Sequence, residues 1–289
     1  MIYYILLKFK HIMLDRKGIL HLFGGKTLRK LLYRLLIELT NGRVTSGILK
    51  QFSRSTVSRF IVPSFARIYQ LNQEEMDKTL REYSTLNDLF TRKLKSGARE
   101  IDNLSDSVIS PVDASIEDIG TIKESSEIEV KGKIYSIHEM LGDDEILEKY
   151  LNGTYIILYL SPSHYHRIHC PASGEVIKQW TLGTKSYPVN KWGLKYGDRP
   201  LSKNYRVTTE LKTDYGFMSV VKVGAMFVNS IEITHPGSQL KKGEEMAFFS
   251  FGSTVILLFE KGIFQIDPFQ TPHEVKVGEK IGHFRVENR

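Results

Sequence analysis

Leucines recur at helical spacing between residues 27 and 41. They fall three or four positions apart and so share one face of a helix, namely Leu28, Leu31, Leu32, Leu35, Leu36 and Leu39. Thr27 can cap the start of this helix, and Asn41-Gly42 is a typical stop signal. The pattern predicts an amphipathic helix, which would either lie in a membrane interface or pack its leucines on the protein core.

A second stretch, from about Gln73 to Lys95, also has apolar residues at spacings typical of a helix. They are Met76, Leu80, Tyr83, Leu86, Leu89 and Phe90. For this segment, a helix that packs on the core is the favoured interpretation.

The pattern changes near Ser107, where short apolar or alternating runs separated by turn residues begin. The runs span 108–112, 155–160, 217–223, 226–233 and 255–259. This spacing predicts an α+β fold, in which a helical N-terminal region (residues 1–72) is followed by a compact, mostly antiparallel β domain (residues 73–289) that carries the chemistry. Trp180–Asn204, which is rich in Gly, Pro, Lys and Tyr, is predicted to be a long functional loop.

Positive charge is concentrated at the start of the chain. Residues 1–70 contain 13 Lys and Arg against two acids, a net charge of +11, whereas the whole chain carries +7. Such asymmetry indicates nucleic acid or an anionic membrane surface as a partner. Since each basic residue near an anionic leaflet adds about 1 kcal/mol and no base-reading motif is recognisable, we expect a membrane and no nucleic acid.

Composition excludes several classes of protein. With 41% hydrophobic and 25% charged residues, the chain is neither disordered nor a disulfide-rich miniprotein. Its single cysteine, Cys170, excludes an intrachain disulfide. The opening apolar run Ile2–Leu7 is short and precedes the positive charge, unlike a signal peptide. No run reaches the about 18 apolar residues of a membrane span, so peripheral membrane contact is expected.

Three segments hold the candidate chemistry. Ser110–Asp113 ends in an aspartate, residues 164–171 contain three histidines, and Gly252-Ser253 precedes an apolar run. Aspartate, histidine and serine are the parts of an activated serine nucleophile. A metal site is not predicted, because in an extended segment the three histidines do not share one face. A conventional serine hydrolase is disfavoured, because the Gly-x-Ser-x-Gly elbow is missing.

These segments resemble the motifs of the phosphatidylserine decarboxylases, which are pyruvoyl-dependent lipid enzymes. Phe251-Gly252-Ser253-Thr254 is similar to the self-cleavage motif of the family, with Phe for Leu. Further similar stretches follow in family order from about residue 85, namely Leu89–Lys95, Ser110–Asp113, Lys131–Ser136, Tyr165–Pro171 and Lys242–Met246. The sequence departs from the family pattern at Ala114, Tyr205, Asn229 and Ala247.

The resemblance implies a proenzyme that cuts itself between Gly252 and Ser253. The Ser253 hydroxyl would attack the Gly252 carbonyl to form an ester. Elimination and hydrolysis would then release ammonia and leave a covalent pyruvoyl group in place of Ser253. His169 is assigned by motif position as the base of this step, and Asp113 as the group that holds its tautomer. The large and small chains, residues 1–252 and 253–289, would stay associated.

The implied activity is decarboxylation of phosphatidylserine to phosphatidylethanolamine and CO2. The pyruvoyl group would bind the substrate amine as a Schiff base and act as the electron sink, with His166 as the acid. His164 is expected to be a surface or supporting residue. The resemblance also suggests a homodimer, and the basic N-terminus suggests a peripheral location on the cytoplasmic face of the cell membrane. Two alternatives stay open: a lipid-binding scaffold that never matures, and a pyruvoyl decarboxylase for another serine-headed lipid or a soluble amino acid.

Overall fold

The computed structural model describes residues 43–130, 132–189, 193–194, 197–225, 231–235, 237–250 and 253–285. The predicted helix over residues 27–41 lies outside this part of the chain, as do Gly252 and Asn229. Among the described residues, no helix is long and apolar enough to cross a bilayer.

The described N-terminal part is helical. Helix α1 spans Arg43–Arg54, a 3-10 helix spans Thr56–Ile61, α2 spans Val62–Ile68 and α3 spans Leu86–Phe90. Pro63 lies in the first turn of α2, where its missing N–H leaves no helical hydrogen bond unmade. The Thr85 hydroxyl caps α3 by accepting the N–H of Asp88.

The continuous helix predicted from Gln73 to Lys95 is wrong. Turns, an isolated bridge between Met76 and Leu94, and the short helix α3 occupy this stretch. In this stretch a polar side chain binds the nearby backbone, since the Glu82 carboxylate accepts the N–H of Thr79. Such a contact competes with the backbone hydrogen bonds of a continuous helix. The core-packing interpretation is confirmed, because the apolar residues pack with α2 in one small cluster, which contains Met76, Tyr83, Leu86, Leu89 and Phe90, with Leu80 against it.

Sixteen strands make up the described part of the β domain. The first eight are β1 (Ser107–Ile109), β2 (Ala114–Thr121), β3 (Glu127–Val130), β4 (Lys133–Ser136), β5 (Thr154–Leu160), β6 (Arg167–His169), β7 (Gly174–Leu182) and β8 (Arg206–Thr213). The second eight are β9 (Gly216–Gly224), β10 (Ile231–Ile233), β11 (Gln239–Leu240), β12 (Glu245–Phe249), β13 (Ser253–Phe259), β14 (Phe264–Ile266), β15 (His273–Val275) and β16 (Lys280–Phe284). Short helices α4 (Ile137–Leu141), α5 (Asp144–Tyr150) and α6 (Pro200–Lys203) complete the domain.

The main sheet has eight antiparallel strands in the order β11-β7-β8-β9-β13-β5-β2-β15. One face packs on two three-stranded sheets, β10-β12-β6 and β1-β16-β14, around the larger apolar cluster. The other face is covered by the β3-β4 hairpin, α4 and α5. The predicted α+β fold with a mostly antiparallel β domain is therefore confirmed.

Details of the predicted strands and loop differ. The first predicted strand ends at Ile109, so Ser110–Asp113 forms the connection to β2. Trp180–Leu182 belong to β7, and the predicted loop therefore starts after them. Ala114 and Ala247 are buried in strands and have no positive φ, so these positions do not require glycine. The domain boundary at residue 72 stays a prediction.

Lys222 lies fully buried on β9. Its ammonium donates to the Thr209 hydroxyl at 2.7 Å and to the Val220 carbonyl at 3.2 Å. Burial lowers the pKa of Lys222 to about 7. No carboxylate pairs with Lys222 among the described residues, so its charged form is costly in this core.

Replacing Lys222 by Met should stabilise the protein at neutral and acidic pH. In the unfolded chain the lysine keeps its proton up to the ordinary pKa of 10.5, whereas the folded protein releases it above about pH 7. The unfolded state then binds more protons, so wild-type stability rises across this window by up to about 1.4 kcal/mol per pH unit. Urea unfolding between pH 6 and 10.5 should show this rise in wild type and in the exposed control Lys212→Met, but not in Lys222→Met. If the unfolding free energy of Lys222→Met rose with pH as steeply as that of wild type, the rise would not come from the buried lysine.

Candidate active site

The sheet topology brings the three candidate segments to one end of the main sheet. β2 begins directly after Asp113, β13 begins at Ser253, and β5 between them ends at Leu160, just before the histidines. Tyr159 on β5 pairs with Ser115 on one side and Thr254 on the other. Because neighbouring strands are about 4.8 Å apart, Asp113 and Ser253 are separated by about two strand spacings, roughly 10 Å.

Ser253 is completely buried at the start of β13. It pairs with Leu160 on β5 and with Gly224 on β9. Side chains alternate along a strand, and Val255 belongs to the cluster between the sheets, so Ser253 faces the same layer. Its Oγ has no hydrogen-bond partner in the described part of the chain. The hydroxyl of Thr254 beside it is in the same state, so the motif, and not the missing hydrogen bond alone, singles out Ser253.

His166 is the more deeply buried of the two candidate catalytic histidines. Its Nδ1 lies 2.9 Å from the His164 carbonyl, which can only accept, so Nδ1 carries the proton. The ring packs on Phe90 with centroids 4.0 Å apart, and Nε2 is buried without a partner among the described residues. Burial and then the positive charge of Arg92 hold the pKa of His166 well below its ordinary value. His166 is therefore a neutral imidazole with an open lone pair.

His169 lies beside the Ser110–Asp113 segment. Its backbone N–H donates to the Pro111 carbonyl at 2.8 Å, and its Nδ1 donates to the Gly243 carbonyl at 2.8 Å. Nε2, the accepting nitrogen, is 3.4 Å from the Tyr165 hydroxyl. Burial lowers the pKa of His169, while the Gly243 hydrogen bond and the charges of Glu245 and Asp113 oppose this effect.

The predicted pairing of Asp113 with His169 is not the one observed. The Asp113 carboxylate instead accepts Nε of Arg99 at 2.9 Å, the Arg99 Nη2 in a second bond, and the N–H of Val277 at 2.9 Å. The carbonyl of Gly243 fixes the His169 tautomer. The Asp113 oxygens are occupied by Arg99 and Val277, and the only effect of Asp113 on His169 among the described contacts is that its charge raises the His169 pKa.

The structure brings the predicted residues to one region without joining them by hydrogen bonds among the described atoms. Along β6, Ile168 packs in the core between the sheets, so alternation directs Arg167 and His169 to the opposite face. There, the Arg167 Nη1 pairs with both Glu245 oxygens at 2.7 and 2.8 Å. The catalytic roles of Asp113, His166, His169 and Ser253 stay predictions.

The His164 ring contacts the backbone on one side and a carboxylate on the other. Its Nδ1 accepts the N–H of Ser161 at 3.2 Å, and its Nε2 lies 3.2 Å from Glu274. No group of three or more His, Cys, Asp or Glu suited to a metal ion occurs in the part of the chain that the structure describes.

Sequence reasoning missed Arg99 and Asn204. Arg99 lies outside the motifs, and nothing in the sequence marks it as the partner of Asp113. Asn204 is fully buried: its amide nitrogen donates to the carbonyls of Tyr187 and Gly224, and its oxygen accepts the N–H of Tyr187, all at 2.8 Å. Since Gly224 pairs with Ser253, Asn204 ties the 185–187 segment to the strand beside the candidate nucleophile.

Comparisons with known proteins identify the family. The profile described as phosphatidylserine decarboxylase matches residues 86–283. A protein named phosphatidylserine decarboxylase proenzyme from Geobacillus sp. (strain WCH70) is 62% identical over 257 residues, which cover 89% of this chain and 99% of that protein. One with the same name from Anoxybacillus flavithermus is 63% identical over 254 residues, covering 88% and 96% of the two chains.

The described fold and site are those of a β-rich protein with a buried serine at the start of a central strand. Together with these matches, they show that the chain belongs to the phosphatidylserine decarboxylase family.

Replacing Asn204 by Ala should destabilise the protein by about 3 kcal/mol, because three buried backbone groups lose their partner. Chemical denaturation measures this difference. Asn103→Ala, at an exposed position, is the control and should stay within about 0.5 kcal/mol of wild type. A loss below 1 kcal/mol in Asn204→Ala would show that the bridge to Gly224 is not needed.

Proposed function

We propose that this chain is a phosphatidylserine decarboxylase that matures by cutting itself between Gly252 and Ser253. The observation that carries the proposal is the buried Ser253 hydroxyl, which has no partner among the described residues and lies at the sheet end shared by Asp113 and the histidine segment. A free serine hydroxyl is a weak nucleophile and needs a base, and the histidine segment at the same end of the sheet offers two imidazoles for this role.

The surroundings of Ser253 fit a covalent pyruvoyl group. The side chain is inaccessible to solvent, and its only polar atom has no competing partner among the described residues. The group supplies a carbonyl that binds the substrate amine and accepts the electron pair left by CO2. Burial away from bulk solvent limits side reactions of such a carbonyl with water.

His169 is proposed as the base of self-cleavage. With Nδ1 protonated toward Gly243, its Nε2 would take the proton of the Ser253 hydroxyl as the bond to the Gly252 carbonyl carbon forms. For this step the His169 ring must turn from the face of β6 that it shares with Arg167 toward the layer that contains Ser253. The negative charge of Asp113 favours the resulting imidazolium. The Gly252–Ser253 C–N bond then breaks as the Ser253 nitrogen takes that proton, which leaves an ester. Loss of the Ser253 α-proton breaks the Cβ–Oγ bond and frees the Gly252 carboxylate. Water replaces the nitrogen, which leaves as ammonia.

His166 is proposed to move the proton of the second reaction. The substrate amine arrives as an ammonium and must lose a proton before it can bind. The buried Nε2 of neutral His166 can take this proton and return it to the α-carbon after CO2 has left. His166 is thus a base first and the predicted acid afterwards.

Cleavage is tested by intact mass under denaturing conditions. Wild type should give two chains, the smaller being residues 253–289, 37 residues long, and about 17 Da lighter than the same peptide with a free serine, as expected for a pyruvoyl end. Ser253→Ala should stay intact, and the control Ser238→Ala, at an exposed position, should cut like wild type.

The histidine roles are separated in the same assay. His169→Gln should stay uncut, whereas His166→Gln should cut but release no CO2 from phosphatidylserine. The reverse pattern would exchange the two roles. An intact wild type would refute the decarboxylase and leave the non-maturing lipid-binding scaffold as the function. A cut chain that releases CO2 only from another serine-headed lipid or from a soluble amino acid would refute phosphatidylserine as the substrate.

The proposed location is the cytoplasmic face of the cell membrane, with the basic N-terminal region on the lipid. Three exposed large apolar side chains belong to its described part, namely Ile48, Val57 and Phe60, which is 85% exposed. Residues 43–72 contain five basic residues and no acid. Apolar side chains flanked by cations suit an anionic leaflet. Association of the two cut chains and a homodimer are proposed from the family alone, and native mass measurement tests both.

Vesicle flotation tests the membrane proposal. The protein should float with vesicles rich in phosphatidylserine and float less with neutral vesicles or in high salt, because screening weakens the contribution of the basic residues. Phe60→Asp should reduce flotation several-fold, whereas the control Ile134→Asp, exposed on β4, should not. Equal flotation of Phe60→Asp and wild type would exclude this surface.

A further inference from the structure

A charged cavity of about 180 Å³ lies where the helical N-terminal part meets the β domain. Its lining includes three permanent cations, two carboxylates and one histidine, namely Arg92, Arg99, Lys276, Glu75, Asp113 and His164. The cavity therefore adjoins the candidate catalytic segments, yet the mechanism above uses none of its cations.

Two of the three cations have carboxylate partners. Nη2 of Arg99 contacts Glu75 at 2.9 Å and also binds Asp113, and Nζ of Lys276 contacts Glu75 at 3.2 Å. These contacts balance the charges of Arg99 and Lys276. Arg92 makes no ion pair with a described residue, so the cavity holds an excess positive charge at this side chain.

Arg92 is also only partly hydrogen-bonded. It is 5% exposed, and its Nη2 donates to the carbonyls of Ser163 at 2.8 Å and His164 at 3.0 Å. Nε and Nη1 are buried and have no acceptor among the described residues. Of the five N–H groups of a guanidinium, three therefore lack an acceptor. Leaving such groups unpaired is costly, and Arg92 also lines a cavity with an excess positive charge, so its side chain suits an anionic ligand.

We propose that Arg92 binds the phosphodiester of the substrate headgroup. The inference rests on the proposed function, which supplies a serine-headed phospholipid as substrate. Guanidinium groups bind phosphate oxygens through charge-assisted hydrogen bonds. The phosphate keeps its charge throughout the reaction. A cation bound to it therefore stabilises the ground state and the transition state equally and does not raise the barrier of the chemical step.

The substrate carboxylate is the less suitable ligand for this cation. Decarboxylation removes negative charge from the carboxylate, so a cation bound there would stabilise the ground state more than the transition state. Arg92 would then slow the reaction. A cation on the phosphate anchors the headgroup and leaves the carboxylate free of countercharge.

Binding is tested on the uncut Ser253→Ala chain, with sn-glycero-3-phosphoethanolamine as the probe and 31P NMR as the readout. Adding Arg92→Gln should weaken binding about tenfold or more, as expected for loss of a charge-assisted bond. The matched control is Lys93→Gln, which removes the adjacent but exposed charge and should bind like the parent. Inorganic phosphate should compete with the probe, whereas ethanolamine and L-serine should not.

Two outcomes would overturn the proposal: equal binding by the Arg92→Gln and parent chains, or displacement of the probe by L-serine, which would assign Arg92 to the carboxylate. Because Arg92 also binds two backbone carbonyls, its loss can affect folding, and the thermal unfolding of each variant is therefore measured as well. If Arg92→Gln does not fold, Arg92→Lys replaces it. Since the assay uses an uncut chain, it decides the role of Arg92 even if wild type does not mature.

Cleaved enzyme provides the kinetic test. With soluble dihexanoyl phosphatidylserine, Arg92→Lys should cut normally and raise KM about tenfold with a smaller change in kcat. A lowered kcat with unchanged KM would overturn the proposal in favour of a role in chemistry alone.

Discussion

Strand β13 is paired on both edges and buried on both faces, and the remainder of the site depends on this constraint. Its neighbours β5 and β9 hold it along its full length, from Ser253 to Phe259. Apolar clusters on either side take alternate residues, so a shift of one residue would move Ser253 to the wrong face. The position of the candidate nucleophile is thus determined by the strand that begins with it.

An ion-pair network centred on Arg99 lies where the helical N-terminal part meets the β domain. Arg99 binds two carboxylates, Glu75 and Asp113, and so the helical part and the β domain share an ion-pair network. Such a network is costly to assemble away from water and costly to break once formed. It holds Asp113 close enough to act on His169 by charge, while desolvation keeps both candidate catalytic histidines neutral.

The N-terminal part also contacts the histidine segment directly. The ring of Phe90 packs on His166, and Arg92 holds the carbonyls of Ser163 and His164. These contacts place α3 and the residues after it against the reacting region. Since α2 and α3 share one apolar cluster, the described helices and the histidine segment pack as one unit.

The pattern of apolar and polar residues along the sequence predicted the change from helices to antiparallel strands and the central strands β5, β9 and β13. The sequence motifs marked the segments that carry Asp113, the histidines and Ser253. Alternation and motif order are properties of neighbouring residues, and they are readable without a fold. The tertiary structure decided the partners. Gly243 holds His169 through a backbone carbonyl that every residue possesses, and Arg99 meets Asp113 from a stretch with no motif. The stretch from Gln73 to Lys95 also shows that the sequence pattern does not give hydrogen-bond partners. Its apolar spacing correctly predicted burial, but local side-chain hydrogen bonds compete with the hydrogen bonds of the predicted continuous helix.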